Sequence, residues 1–193
     1  MSRARRSVRD RILETAGELF YGRGIRNVGV DEIVAASGVA KMSLYKHFES
    51  KDALIEAWLR ESGARWQAWL EQRIQRAGCD PGTRLLAVFD ALAEWFGESS
   101  FRGCFFLNSA VEVADPAHPA SRLAVEHQTA LLGLLRSLAR ETGVPRPEML
   151  ARQLLLLTQG AIVIAQVHGG PEAGREARRA AAALIAAAHG TTG

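Results

Sequence analysis

Apolar residues recur at helical spacing along almost the whole chain, and alternating strand-like runs are nearly absent. Ile12, Leu13, Ala16, Leu19 and Phe20 fall at i, i+1, i+4, i+7 and i+8, one stripe of a first helix that Gly22 and Gly24 close. Val30, Ile33, Val34 and Ser37 predict a short second helix ending at Gly38. After the turn Gly38-Val39-Ala40, a third short helix is expected from Lys41 to about Phe48, with Leu44 and Phe48 inward. Ser50 offers an N-cap to a long fourth helix, whose stripe includes Leu54, Ile55, Trp58, Leu59, Trp66, Trp69 and Leu70. Gly78 and Asp80-Pro81 interrupt the pattern. Further helices are predicted over 83–97, 103–113, 120–142, 148–167 and 172–188, separated by turn segments such as Asp115 to Pro119 and Gly143 to Pro147. The expected fold is all-α with about nine helices. Residues 1–50 would form a three-helix N-terminal domain, and residues 51–193 a larger helical one.

Composition sharpens this picture where it is uneven. The chain has 193 residues, 48% hydrophobic and 23% charged, the balance of a globular protein. The net charge of +3 is too small to identify a partner. Its location says more. Residues 1–60 hold eleven Lys+Arg against eight Asp+Glu, whereas 61–193 hold thirteen of each. The three lysines, Lys41, Lys46 and Lys51, fall within one eleven-residue window.

The same sequence argues against several classes of protein. No run of about 18 apolar residues predicts a spanning helix, so no membrane partner is expected. The nearest approach, Leu154 to Val167, is interrupted by Thr158, Gln159 and Gln166. The basic start MSRARRSVRDR is not followed by the apolar segment of a secretory signal. Cys79 and Cys104 make no disulfide framework, and a cytoplasmic location is expected. A Gly-rich phosphate loop, a nucleophile elbow, HExxH and paired CxxC are all missing, so neither catalysis nor a cofactor has a motif behind it. Glu112, Asp115 and His118 lack the paired spacing of a usual metal site, and no metal is expected.

Residues 30–48 have the layout helix, tight glycine-containing turn, short helix. A structural corner and a DNA-reading helix-turn-helix share that layout. Charge placement favours the second over a plain corner whose lysines are merely solvated. Lys41 and Lys51 fall in the first turns of the third and fourth helices, where a cation opposes the macrodipole at a cost of about 0.3–1 kcal/mol. A phosphate at each helix start would turn that cost into an attraction. The outward face of the third helix shows Met42, Ser43, Lys46 and His47, flanked by Lys41 and Tyr45, and none is acidic. That mixture suits phosphate and base-edge contact. Arg3, Arg5, Arg6, Arg9 and Arg11 suggest either a basic arm that tracks DNA or a solvated terminus.

Residues 16–57, and above all GVAKMSLYKHFESKDAL, resemble the DNA-binding region of the TetR family of bacterial transcriptional repressors, in its AcrR-like form. The resemblance implies phosphate contacts by Tyr45, His47 and Lys51 and base-facing positions for Lys41, Met42 and Ser43. Gly29 and Ala40 depart from the family pattern, which places Thr or Ser there as helix caps. Residues 101–120, FRGCFFLNSAVEVADPAHPA, are similar to an RGC-FLN-E-DPDHP pattern in one branch of these regulators. The family implies a homodimer on a palindromic double-stranded operator, with a small-molecule effector bound inside each subunit.

The C-terminal residues bear on that implication. The 148–167 helix is apolar over most of its circumference, and 172–188 runs into alanines that permit close helix approach. Both features suit a self-complementary interface. Trp66, Phe89 and Phe105, with the polar Asn108, Glu112, His127 and Gln159, make a candidate effector pocket. The expected function is therefore a ligand-responsive, homodimeric DNA-binding repressor. The alternatives are a helical small-molecule-binding protein without DNA binding and a DNA-binding regulator without a ligand.

Overall fold

Side-chain caps set where the helices begin. In the computed structural model, which describes residues 7–190, Ser7 Oγ accepts from the Asp10 N–H at 3.1 Å and opens α1, Val8–Arg23. Ser50 Oγ accepts from Ala53 N–H at 3.0 Å and opens α4, Lys51–Arg76. Asp80 accepts from Thr83 N–H at 2.7 Å, with Pro81 in the first turn of α5, Pro81–Phe96. The short helices α2, Val30–Ser37, and α3, Lys41–His47, start at Gly29 and Ala40 with no side-chain cap bond. Gly38, at φ 63°, ends α2 in the left-handed region and reverses the chain into α3.

The remaining helices are α6, Phe105–Val113; α7, Pro119–Glu141; α8, Pro147–His168; and α9, Glu172–Gly190. The described residues thus form nine helices and no strand, as the periodicity predicts.

Two compact units divide the chain. Among the described residues, the first comprises 7–64 and 104–126, the second 65–103 and 127–190. This division is not the one expected at residue 50. The first half of α4 packs within the first unit through buried Leu54, Ile55, Trp58 and Leu59. Trp58 lies 5.5 Å from Phe20 and 6.0 Å from Phe105, ring centre to ring centre. A Cβ on Gly17 would stand 2.7 Å from the Trp58 indole, so glycine admits α4 against α1.

In the second unit, α5, α8 and α9 pack together around Leu85, Phe89, Leu92, Leu150, Leu154, Ala181 and Ile185. Gly174 brings α9 onto α5, where a Cβ would fall 2.6 Å from the Ala93 Cα. Helix α8 has two unlike faces. Leu150, Ala151, Leu154, Thr158, Ala161, Ile162 and Ala165 are buried, whereas Leu156, Val163, Ile164 and Val167 are exposed, Leu156 at 73%. By length and mean hydropathy α8 could cross a membrane, contrary to the expectation from uninterrupted runs. Its buried face, packed with α5 and α9, is equally that of a core helix.

Candidate nucleic-acid interface

Helix α3 is anchored from one side. Leu44 is fully buried and Phe48 nearly so, joining Ile12, Ala16, Val28 and Ile33 in the core of α1–α3. Phe48 follows α3 as its extended C-cap, so Leu44 within the helix and Phe48 just after it hold the inner side and leave most of the other α3 residues exposed. Met42 is 79% exposed and Tyr45 41%, and Lys41, Lys46 and His47 are exposed as well. Ser43 is half-buried, as is Lys51 at the start of α4. The seven residues singled out in the sequence therefore lie on α3 or the first turn of α4, and no acidic side chain interrupts the α3 segment.

Lys41 stands differently from what helix polarity alone suggests. Its ammonium lies 2.6 Å from the Asp31 carboxylate in the first turn of α2. That hydrogen bond and charge raise the lysine pKa above its ordinary value. The cation at the start of α3 is thus already compensated without a phosphate. Lys51 has no ion-pair partner among the described residues, so its charge at the start of α4 is left for an anion to compensate. The sequence carried no signal for the Lys41–Asp31 pair, whose partners meet only because the turn stacks two helix starts.

The basic N-terminal segment is described only in part. Arg3, Arg5 and Arg6 lie outside the described residues, but Arg9 and Arg11 belong to α1. The Arg9 guanidinium stands 5.4 Å over the Phe48 ring and 3.9 Å from Glu61. An open groove of about 520 Å³ beside it is lined by Arg9, Ala53, Glu56, Ala57, Arg60 and Glu61. None of the effector-pocket candidates borders that groove.

Those candidates divide between the units. Phe105, Asn108 and Glu112 belong to the first, and Trp66, Phe89, His127 and Gln159 to the second. Phe105 stacks with Tyr21, Trp58 and Phe106. Asn108 is half-buried on α6, its backbone N–H donating to the Cys104 carbonyl. Glu112 accepts from the Arg26 N–H at 3.0 Å and is engaged with the α1–α2 loop rather than offered to a ligand. Phe89 is fully buried core.

In the second unit Trp66 lies 5.9 Å from Trp95 and 5.3 Å from His127, ring centre to ring centre. The Trp66 indole N–H and the Gln159 side-chain oxygen are buried without a hydrogen-bond partner. Such groups cost about 1–3 kcal/mol each unless something completes them. Among the described residues no group of three His, Cys, Asp or Glu could hold a metal. Asp115 accepts from Ala117 N–H, and His118 faces Asp52 at 3.4 Å.

Burial lowers the His127 pKa to about 4. Its folded value is below the ordinary 6.5, so the unfolded chain binds the extra proton between those values. Stability contributed by neutral His127 is present above pH 6.5 and lost as pH falls toward 4. Thermal melts at pH 7 and pH 5 should show a drop at the lower pH that His127→Gln reduces.

Residues 12–58 match the family model for bacterial regulatory proteins of the tetR family, and residues 81–181 match that for the tetracyclin repressor-like C-terminal domain. The chain belongs to the TetR family. It is 30% identical to the HTH-type transcriptional repressor DhaR of Mycobacterium sp. strain GP1, over 88% of this chain and 87% of that one. With the HTH-type transcriptional regulator YjdC of Escherichia coli K12 it shares 25% identity over 80% and 81% of the two chains. The fold superposes on SCO4454, a TetR-family transcriptional regulator from Streptomyces coelicolor, with a TM-score of 0.85. There the identity is 28%, and 94% of this chain and 96% of that one are covered. This TetR-family protein is therefore a transcriptional regulator, and family membership implies that it binds DNA.

Proposed function

We propose that this TetR-family protein is a cytoplasmic, homodimeric repressor whose affinity for a palindromic operator is set by a small-molecule effector. The observation that carries the reading is the outward face of α3. Leu44, and Phe48 just after the helix, hold its inner side, leaving Met42, Tyr45, Lys46 and His47 exposed and Ser43 half-buried, with Lys41 and Lys51 at the flanking helix starts. Lys41, Met42 and Ser43 would face bases, and Tyr45, His47 and Lys51 phosphates, with Lys46 adding charge to the same surface. A dimer sets two such helices in successive major grooves about 34–36 Å apart.

The dimer reading rests on α8 and α9. The exposed residues Leu156, Gly160, Val163, Ile164 and Val167 follow i, i+4, i+7, i+8, i+11, one apolar stripe with a glycine that allows close approach. Exposed Ala180, Ala183, Ala186 and Ala187 continue small residues along α9. A second copy would cover both faces across a two-fold axis.

The effector reading rests on the uncompleted Trp66 and Gln159 groups and on neutral His127. A ligand there would switch operator binding with a coupling of only ~1–3 kcal/mol. The DNA contacts are tested by fluorescence anisotropy on duplexes selected from a random pool. Lys51→Ala should weaken binding to all sequences alike, by several-fold, whereas Ser43→Ala should change which base pairs are preferred. Unchanged affinity and preference in both variants would contradict the assignment.

A further inference from the structure

The loop between α1 and α2 and the end of α6 hold each other by reciprocal contacts. Glu112 Oε2 accepts from the Arg26 backbone N–H at 3.0 Å, and Arg26 Nη2 donates to the Val113 carbonyl at 3.1 Å. Val113 is the last residue of α6, where unpaired carbonyls form the negative end of the helix. A guanidinium is suited to that end. The carboxylate meets the loop where Gly24 has φ 88°, and a Cβ there would stand 2.7 Å from both Glu112 oxygens. Glycine therefore serves both the left-handed backbone and the close approach of the carboxylate.

The segment that follows grips a second point. Ala114 itself takes a left-handed φ of 53°, turning the chain out of α6. His118 Nδ1 accepts from the Ala120 N–H at 3.1 Å, which leaves Nε2 to carry the proton toward Asp52, 3.4 Å away in the first turn of α4. The α1–α2 loop leads into the helix-turn-helix and Asp52 follows it in the chain. The end of α6 and the turn after it thus bracket the α2–α3 pair on both sides, all within the first unit.

We infer that Glu112 is a positioning residue for DNA recognition: its clamp on Arg26 fixes the orientation of the α2–α3 pair against α6. The inference rests on the DNA-binding reading and adds to it a named mechanical link. Without the carboxylate, α1–α3 keep their own core of Ile12, Ala16, Ile33 and Leu44 and stay folded. Their angle to α6 is then held less tightly, by the Arg26–Val113 bond and the packing of Phe105 on Tyr21 and Trp58, and the two recognition helices of a dimer sample a wider range of separations. Specific binding needs one separation, whereas nonspecific binding needs only the basic side chains, which the substitution leaves in place.

The test uses the operator selected by the intact protein, the same operator with its half-sites moved one base pair closer or farther, and an unrelated duplex. Glu112→Ala should lose about 10-fold on the operator, within the range of a conformational coupling. It should keep its affinity for the unrelated duplex and discriminate less among the three spacings. Glu112→Gln retains an acceptor for the Arg26 N–H and should behave like the wild type. Full operator affinity and spacing discrimination in Glu112→Ala would overturn the inference. So would equal loss on every duplex together with a lower melting temperature, the signature of a folding role. If the wild type selects no sequence at all, the DNA-binding reading fails first and the clamp with it.

Discussion

Raising the salt from 50 to 200 mM should weaken binding to DNA by roughly 10³–10⁵-fold, the counterion release expected for about 6–10 neutralised phosphates. Each copy offers Lys41, Lys46 and Lys51 as cations on one surface, with Tyr45 and His47 as hydrogen-bonding neighbours. Two copies therefore approach that range, and the log–log salt slope should fall near −5 to −9, taking about −0.9 per phosphate. The Asp31 carboxylate 2.6 Å from Lys41 modifies the figure. A phosphate must displace that carboxylate, which keeps part of the lysine charge out of the balance. Asp31→Asn should accordingly raise affinity and steepen the slope, by up to about 2 for a dimer in which both lysines are released. Anisotropy titrations at four or five salt concentrations measure both values. A slope near zero would remove DNA binding through this surface.

Phe89→Ala should lower stability by about 3–5 kcal/mol, the cost of emptying a fully buried aromatic site. For a chain of this length that corresponds to a fall of about 6–20 °C in melting temperature. Phe89 is wholly buried on α5, beside Leu85, Leu92 and the buried faces of α8 and α9. These helices approach closely, as Gly174 against Ala93 shows, and have little freedom to collapse into the space the ring leaves. The sequence placed Phe89 in the effector pocket, and this experiment separates the two roles. A ring lining an open cavity would cost far less to truncate. Thermal and urea unfolding of the ligand-free variant decides it, and a loss below about 1 kcal/mol would return Phe89 to the pocket wall.

The helices were legible because their signals are local. Ser50 caps the start of α4, Gly38 closes α2, Asp80-Pro81 marks the break before α5, and stripes such as Ile12 to Phe20 mark the buried face. The outward face of α3 could be drawn for the same reason, since Leu44 and Phe48 determine it. The pairing of Lys41 with Asp31 and of Glu112 with Arg26 could not. Each joins residues ten or more positions apart through a turn whose geometry no single position announces. Glu112 looked like a polar group on an apolar helix, which fits a pocket as well as a clamp. The same limit applied to the aromatic residues. Phe105 and Trp66 belong to one compositional cluster in the sequence, yet α6 carries the first into the unit of Tyr21 and Trp58 while the second sits with Trp95 and His127.

The packed units do not divide at the helix start of residue 50, for a related reason. Ser50 does begin a helix, but α4 is continuous for 26 residues and its first half carries core side chains of the N-terminal unit. A helix start is a local event; the limit of a packed unit is not.

Repeated selection of bound duplexes from a random pool by the intact protein tests the central claim most directly. The account predicts enrichment of an inverted repeat whose half-sites lie about one helical turn, 10–10.5 base pairs, or a multiple of it apart. A pool that stays random after several rounds, or that yields a single unrepeated site, would contradict a dimer reading DNA through α3.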